Sequence, residues 1–394
     1  MTILSERVSR IQPSATIAVN AKANALRAEG HNIINLSVGE PDFDTPEFIK
    51  EAAIKAIHDG FTKYTASEGI PELREAIINK LSNDNDLQYE MNQILVSDGL
   101  KQTLFNLTQA LLNDGDEVIT PTPYWVSYPA MAKLAGATPV FVESTMANRF
   151  KITPDALEKA ITPKTRLFMI NSPSNPSGMA YSLDELKALG AVLKKHPQII
   201  IASDDIYEYI FWGEDRYVNI LNACPELKDR TIIGNGMSKA YAMTGWRVGY
   251  AAGPADLIAA MKKVQSQSTT CANSIAQKAS AVALNAGRDF FQPMLEAFKS
   301  RHDFVLDALT AMDGVECLNS DGTFYLFPDM TKVIARLGLK DDLELAEYFL
   351  EKANVAMVPG TAFGMPNFIR FSCATSEENL RKAVDQIAKA INSN

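Results

Sequence analysis

From about residue 46 to residue 285 the chain keeps switching between two hydrophobic rhythms, and that alternation limits the folds open to it. Stretches such as "TPEFIKEAAIKAIHDG" repeat apolar residues at helical spacing, with Ile49, Ala52, Ala53, Ala56 and Ile57 on one face. Thr45 is the predicted N-cap of that helix, Pro46 its first residue and Gly60 its stop. "SLDELKALGAVLKK" opens on Ser182 and Glu185, the spacing of a capping box. Between such helices lie short, nearly unbroken apolar runs: "DEVIT", "TPVFV", "RLFMI", "IIIA", "TIIG" and "VGYAAG". Runs this brief read as strands buried on both faces, as in a mainly parallel sheet flanked by helices. The expectation is an α/β domain over residues 46–285.

The rest of the chain has a different texture. A long helical stretch around "MLEAFKSRHDFVLDALTAM" leads into "GTFYLFP", "VAMVPG" and "FIRFSCA". "TSEENLRKAVDQIAKAI" closes the chain as a helix, with Thr375 and Glu378 as a predicted capping box. This mixture predicts a smaller α+β domain over residues 286–394, joined by the N-terminal segment 1–45. A chain of 394 residues with 46% hydrophobic content has enough apolar material for two domains.

A formal charge of −9 gives no general attraction for nucleic acid or an anionic membrane, so neither is an expected partner. The opening "MTILSERVSRIQPS" lacks the apolar stretch of a signal peptide, and no run approaches the ~18–20 apolar residues of a membrane span. A cytoplasmic protein is expected. Cys224, Cys271, Cys317 and Cys373 are scattered, and His31, His58, His196 and His302 show no ligand spacing. Neither a disulfide framework nor a metal site is expected.

Polar residues cluster just after several expected strands, where ligands of open α/β sheets collect. "RLFMI" runs into "NSPSNPSG", "IIIA" into "SDDIY", and "TIIG" into "NGMSK". Lys239, in the last of these turns, is a candidate for a Schiff base with a carbonyl cofactor, since a desolvated amine has a lowered pKa. Arg247 is a permanent cation eight residues on. With Ser238 and the helix start in "GLKQTL" it is suited to a phosphate. Asp204 or its neighbour Asp205 is placed to pair with a protonated ring nitrogen. Tyr207 and Asn175 offer hydrogen bonds to a ring oxygen, and Trp125 offers a stacking face. A nucleotide loop does not fit: the third glycine position of GxGxxG is Lys239 itself, and no GxxxxGK[ST] occurs.

In order and spacing, "YTASEGIPELREA", "PYWVSYP", "NSPSNPSG", "SDDIY", "SKAYAMTGWRVGY" and "FIRFSCA" resemble the class I aminotransferases. These are fold-type I enzymes of pyridoxal 5'-phosphate (PLP), with a large domain built on a seven-stranded sheet. The likeness spans nearly the whole chain and is nearest to the bacterial aspartate aminotransferase branch, some members of which also use prephenate. It implies that Lys239 carries the cofactor. It assigns the phosphate to Arg247, Ser238 and the amides of Gly99, Leu100 and Lys101. Asp204 would face the pyridine nitrogen, Tyr207 and Asn175 the phenolic oxygen, and Trp125 the ring. Arg370 would clamp the substrate α-carboxylate, aided by the backbone of Gly39. Lys101 would face a distal carboxylate, with Ser14 and Thr16 supplying hydroxyls. Tyr64 would reach the phosphate of a second subunit, which implies a homodimer with shared sites.

The implied reaction is ping-pong transfer between L-aspartate and 2-oxoglutarate. The alternatives are a prephenate or aromatic aminotransferase and a C–S β-lyase. A PLP-binding regulator would need an added DNA-binding segment, for which the pattern, starting by residue 13, leaves no room. Three positions depart from the branch: Leu100 replaces a frequent glycine, Thr323 a frequent alanine, and Gln12 a common basic residue, which weighs against prephenate.

Overall fold

The computed structural model describes residues 4–392. Seven strands form one sheet, in the order Ile94–Ser97, Gly249–Ala252, Thr231–Gly236, Ile200–Asp204, Thr165–Asn171, Glu117–Pro121 and Thr138–Val142. Gly249–Ala252 is antiparallel to both neighbours and the remaining pairs are parallel. The six runs expected as strands are all strands of this α/β sheet. The seventh, Ile94–Ser97, was not among them. It is a four-residue edge strand whose every residue is buried, so it shows no alternation to read. Burial at all six positions of Thr231–Gly236 fits a sheet covered on both faces.

Two helix starts differ from expectation. Pro46, not Thr45, is the N-cap of Glu47–His58. The Thr45 hydroxyl is used elsewhere: it donates to the Ala242 carbonyl at 2.7 Å and accepts from the Trp246 indole at 2.9 Å. It therefore ties the N-terminal segment to the loop after Lys239. The last helix begins at Glu377, and Ser376 Oγ, not Thr375, accepts from the Asn379 amide at 3.3 Å. The Ser182–Glu185 capping box is present as read.

The apolar side chains gather into two large clusters. One surrounds the seven-stranded sheet. The other packs Ile34, Leu36 and residues between Val305 and Ile391. The helix Gln292–Thr310 serves both, with Met294 and Phe298 in the first cluster and Val305 and Leu309 in the second. Ile34–Asn35 pairs in parallel with Val355–Ala356. Val358–Pro359, Ile369–Ser372 and Tyr325–Leu326 form a small antiparallel sheet. That sheet holds Arg370 and Tyr325 over the C-terminal ends of the parallel strands. Among the described residues no helix is long and apolar enough to cross a membrane.

Candidate active site

The parallel strands end in register: Asn171 lies beside Asp204, and Asp204 beside Gly234. From Gly236 the chain leaves the sheet and reaches Lys239 three residues later. These ends open on a cavity of about 350 Å³. Ser14, Thr16, Gly39, Leu100, Lys101, Trp125, Asn175, Asp204, Tyr207, Ser238, Lys239, Arg247 and Arg370 all line it.

Lys239 is half-buried, with its amine enclosed by this cavity. Its amine donates to the Gly39 carbonyl and lies 5.9 Å from the centre of the Tyr207 ring. Burial, reinforced by the positive charges of Arg370 and Arg247, lowers its pKa from 10.5 to about 8. A substantial fraction is therefore a neutral nucleophile near physiological pH.

The two aspartates separate cleanly. Asp204 faces the cavity, and its Oδ2 accepts from the Tyr128 hydroxyl at 2.5 Å. Burial raises its pKa to about 6, against the pull of that hydrogen bond. Asp205 is turned away and accepts from Ser203 Oγ at 2.6 Å and Asn219 Nδ2 at 2.9 Å. Opposite faces for consecutive residues are what an extended backbone imposes.

Arg370 comes from the small sheet and is only 2% exposed. Its Nη1 donates to Asn175 Oδ1 at 2.9 Å and its Nη2 to the Ser37 carbonyl at 2.7 Å. The Asn175 amide N–H in turn donates to Asn171 Oδ1 at 2.8 Å. Arg370 Nε is buried without a partner. The guanidinium lines the cavity, where an anionic ligand can meet its positive charge.

At the other end, Gly99 takes a left-handed φ of +83° as the N-cap of Leu100–Leu111. A Cβ there would lie 2.5 Å from Arg247 Nη2, so only glycine lets the arginine close on the helix start. The first amides of a helix have no intrahelical partner, and with Arg247 and Ser238 they form an anion cradle. The amide of Gly99 itself donates to the Ser97 carbonyl at 2.8 Å, and Gly99 does not line the cavity. Trp125 sits beneath Lys101, whose Nζ is 4.9 Å from the indole centre. Burial and then the Arg247 charge lower the Lys101 pKa.

Amine, carboxylate, phenol, amide, indole and anion cradle converge on one slot, and this donor set fits a flat phosphorylated pyridine aldehyde. Tyr64 is apart from it, 90% exposed and outside the cavity lining. Other lining residues went unread in the sequence: Asn171, Glu40, Thr244 and Tyr325. So did Tyr128 behind Asp204. Asn171 had a signal, since like Asp204 it is a polar residue ending an apolar strand. The tyrosines had none, because their contacts join positions 76 and 118 residues apart.

Residues 31–387 match the family model for aminotransferases of class I and II. The chain is 55% identical to the aspartate/prephenate aminotransferase of Nitrosomonas europaea, over 98% of this chain and 99% of the relative. It is 48% identical to the aspartate aminotransferase of Geobacillus stearothermophilus, with 98% of each chain covered. Among solved structures, that of the Rhizobium meliloti aspartate aminotransferase superposes with a TM-score of 0.96 at 46% identity, covering 100% of this chain and 99% of the other. The Thermus thermophilus aspartate aminotransferase with maleate gives a TM-score of 0.94 at 44% identity, covering 99% and 100%. The chain belongs to the class I and II aminotransferases, and its cofactor is pyridoxal 5'-phosphate.

Proposed function

We propose that this chain moves an amino group between L-aspartate and 2-oxoglutarate. The observation that carries the proposal is the division of labour among the four cations lining the cavity: Lys101, Lys239, Arg247 and Arg370. Arg247 closes the cradle that suits the cofactor phosphate. Arg370, whose guanidinium lines the cavity, suits the α-carboxylate that every amino acid has. Lys239 performs the chemistry. Lys101 is left for a second carboxylate, which aspartate and glutamate possess. The names of the relatives support the same substrate.

Bound PLP supplies a conjugated electron sink. Asp204 would supply the negative charge that keeps the ring nitrogen protonated. Tyr207 and Asn175 would orient the ring by hydrogen bonds to its phenolic oxygen, and Trp125 would stack on it. Lys239 would hold the cofactor through its amine. The freed Nζ then takes the Cα proton as a base and returns it as an acid. Arg370 fixes the substrate so that this proton faces Lys239. Releasing one oxo acid before admitting the next gives ping-pong turnover. The deciding experiment is to add single amino acids to the PLP form and follow loss of the bound-cofactor absorbance. Aspartate and glutamate should react far faster than alanine; equal rates would remove the acidic preference.

Lys101 makes this quantitative. A hydrogen bond to a charged group is worth ~1.5–3 kcal/mol, roughly 10- to 150-fold. Lys101→Ala should lower kcat/KM for aspartate by about that factor and leave alanine nearly unchanged. An equal loss for both would assign Lys101 to the cofactor instead. Prephenate is the second reading, favoured by the name of the 55% identical relative and opposed by Gln12. Supplying prephenate as acceptor with aspartate as donor tests it.

The same reading makes the protein a homodimer with shared sites. Tyr64 is exposed and free to reach a second copy. Ile54, Ile57 and Val282 also expose apolar side chains on two helices that pack against each other, Glu47–His58 and Ser274–Asn285. Mixing inactive Lys239→Ala chains with impaired Tyr64→Phe chains should restore activity at one site of the hybrid, the site that combines Lys239 and Arg370 of the second chain with Tyr64 of the first. No recovery in isolated hybrids would count against shared sites. The two apolar clusters support a division into a large domain, 46–285, and a small one, 286–394, with 1–45 joining the latter.

A further inference from the structure

We propose that Tyr325 is a positioning residue that links the carboxylate-binding Arg370 to the phenol of Tyr207. The inference rests on the roles proposed above for those two residues. Tyr325 is fully buried and meets both. Its hydroxyl is 3.2 Å from the Tyr207 hydroxyl, and its ring centre is 4.3 Å from the Arg370 guanidinium carbon.

The backbone holds this side chain in place at some cost. Thr323 adopts a left-handed φ of 66°, a conformation that β-branched residues avoid. Such strain persists only where the surroundings impose it. Here the Thr323 amide donates to the Ile210 carbonyl at 2.7 Å, and Thr323 Oγ1 accepts the Tyr325 amide at 3.1 Å. The unusual threonine is thus one of the groups that aim Tyr325. Gly39 supplies the rest of the fit: a Cβ there would collide with the Tyr325 hydroxyl.

Counting protons fixes the direction of the link. Burial pushes the pKa of both phenols up, so both are neutral at physiological pH. A neutral phenol has one proton to donate. Once Tyr207 donates to the cofactor's phenolic oxygen, its own oxygen accepts from Tyr325. The guanidinium over the Tyr325 ring makes that O–H a stronger donor, and Tyr207 in turn. A carboxylate on Arg370 offsets this charge. Tyr325 therefore transmits the arrival of a carboxylate to the cofactor oxygen.

The test is a pH titration of the bound-cofactor absorbance in the holoenzyme, with and without maleate, a dicarboxylate lacking an amine. Tyr325→Phe keeps the ring under Arg370 and removes the hydroxyl. Its titration midpoint without maleate should differ from that of the unsubstituted enzyme, and the maleate-induced shift should fall by about half or more. Adding Tyr325→Phe to Tyr207→Phe should change neither quantity further. Tyr325→Leu, which also removes the ring, should weaken maleate binding roughly 2- to 30-fold relative to Tyr325→Phe, the range for a cation–π contact. A maleate-induced shift as large in Tyr325→Phe as in the unsubstituted enzyme overturns the link to Tyr207. Equal maleate affinity in the Phe and Leu variants overturns the link to Arg370. A midpoint unmoved by Tyr207→Phe alone removes instead the role of Tyr207 on which the inference rests.

Discussion

Lys239→Ala should lower kcat by about four orders of magnitude, because in the proposed mechanism one side chain provides both the attachment point and the proton carrier. The variant should still bind PLP, since Arg247, Asp204 and Trp125 are untouched. Borohydride treatment of the unsubstituted holoenzyme, followed by peptide mapping, should place the reduced cofactor on Lys239. Label on another lysine would overturn the mechanism. The lowered pKa adds a pH dependence with a definite sign. Only the neutral amine attacks the cofactor carbonyl, and the neutral fraction rises about tenfold per pH unit below the pKa. With that pKa at about 8, the rate of PLP loading into apoprotein should climb to about pH 8 and then level off. An ordinary exposed lysine would carry the climb beyond pH 10. A loading rate still rising tenfold per unit above pH 9 would contradict the burial argument.

Asp204→Asn should produce the second large effect. The amide keeps the shape and can still accept the Tyr128 hydroxyl, but the charge proposed to face the pyridine nitrogen is gone. Removing one partner of a buried, hydrogen-bonded charge pair costs about 2–5 kcal/mol, or roughly 30- to 5,000-fold in kcat/KM. Asp205→Asn is the matched control. Its carboxylate serves Ser203 and Asn219, so the substitution should appear as a lower melting temperature with kcat changed only a few-fold. Steady-state kinetics and thermal melts on the two variants decide the matter. The reverse pattern would mean that the cavity-facing aspartate has been misassigned.

These two aspartates also show where sequence reasoning stops. Position after a strand singled out the pair, but choosing between them needs the strand's last residue, and helix and strand ends are blurred by a residue or two. The family likeness chose Asp204, and the register Asn171–Asp204–Gly234 supplies the physical reason. Lys239, Asn175, Tyr207 and Arg247 were legible because each follows an apolar run or sits in a turn. Tyr128 and Tyr325 were not, since an aromatic residue at strand or helix spacing reads as core whatever its hydroxyl touches. Ile94–Ser97 was missed for a related reason: four buried residues at a sheet edge carry too short a pattern. Thr45 was read as a cap from the Pro46 that follows it, and Thr375 from its spacing to Glu378. Each hydroxyl bonds elsewhere, Thr45 to Ala242 and Trp246 and Thr375 to Asn379, while Pro46 and Ser376 occupy the helix starts.

The helix Gln292–Thr310 has a consequence for folding cooperativity. Its first half completes the apolar interior around the large sheet and its second half completes the other. Nineteen residues of continuous hydrogen-bonded backbone join them. Neither interior can lose its share of that helix without fraying the other's, so the two cores are coupled in stability as well as in position. Arg370 and Lys239 lie on opposite sides of the boundary that the helix crosses. Their relative placement is therefore backed by a continuous helix as well as by the direct Arg370–Asn175 hydrogen bond, and a cut at the junction would leave two fragments each lacking part of its interior.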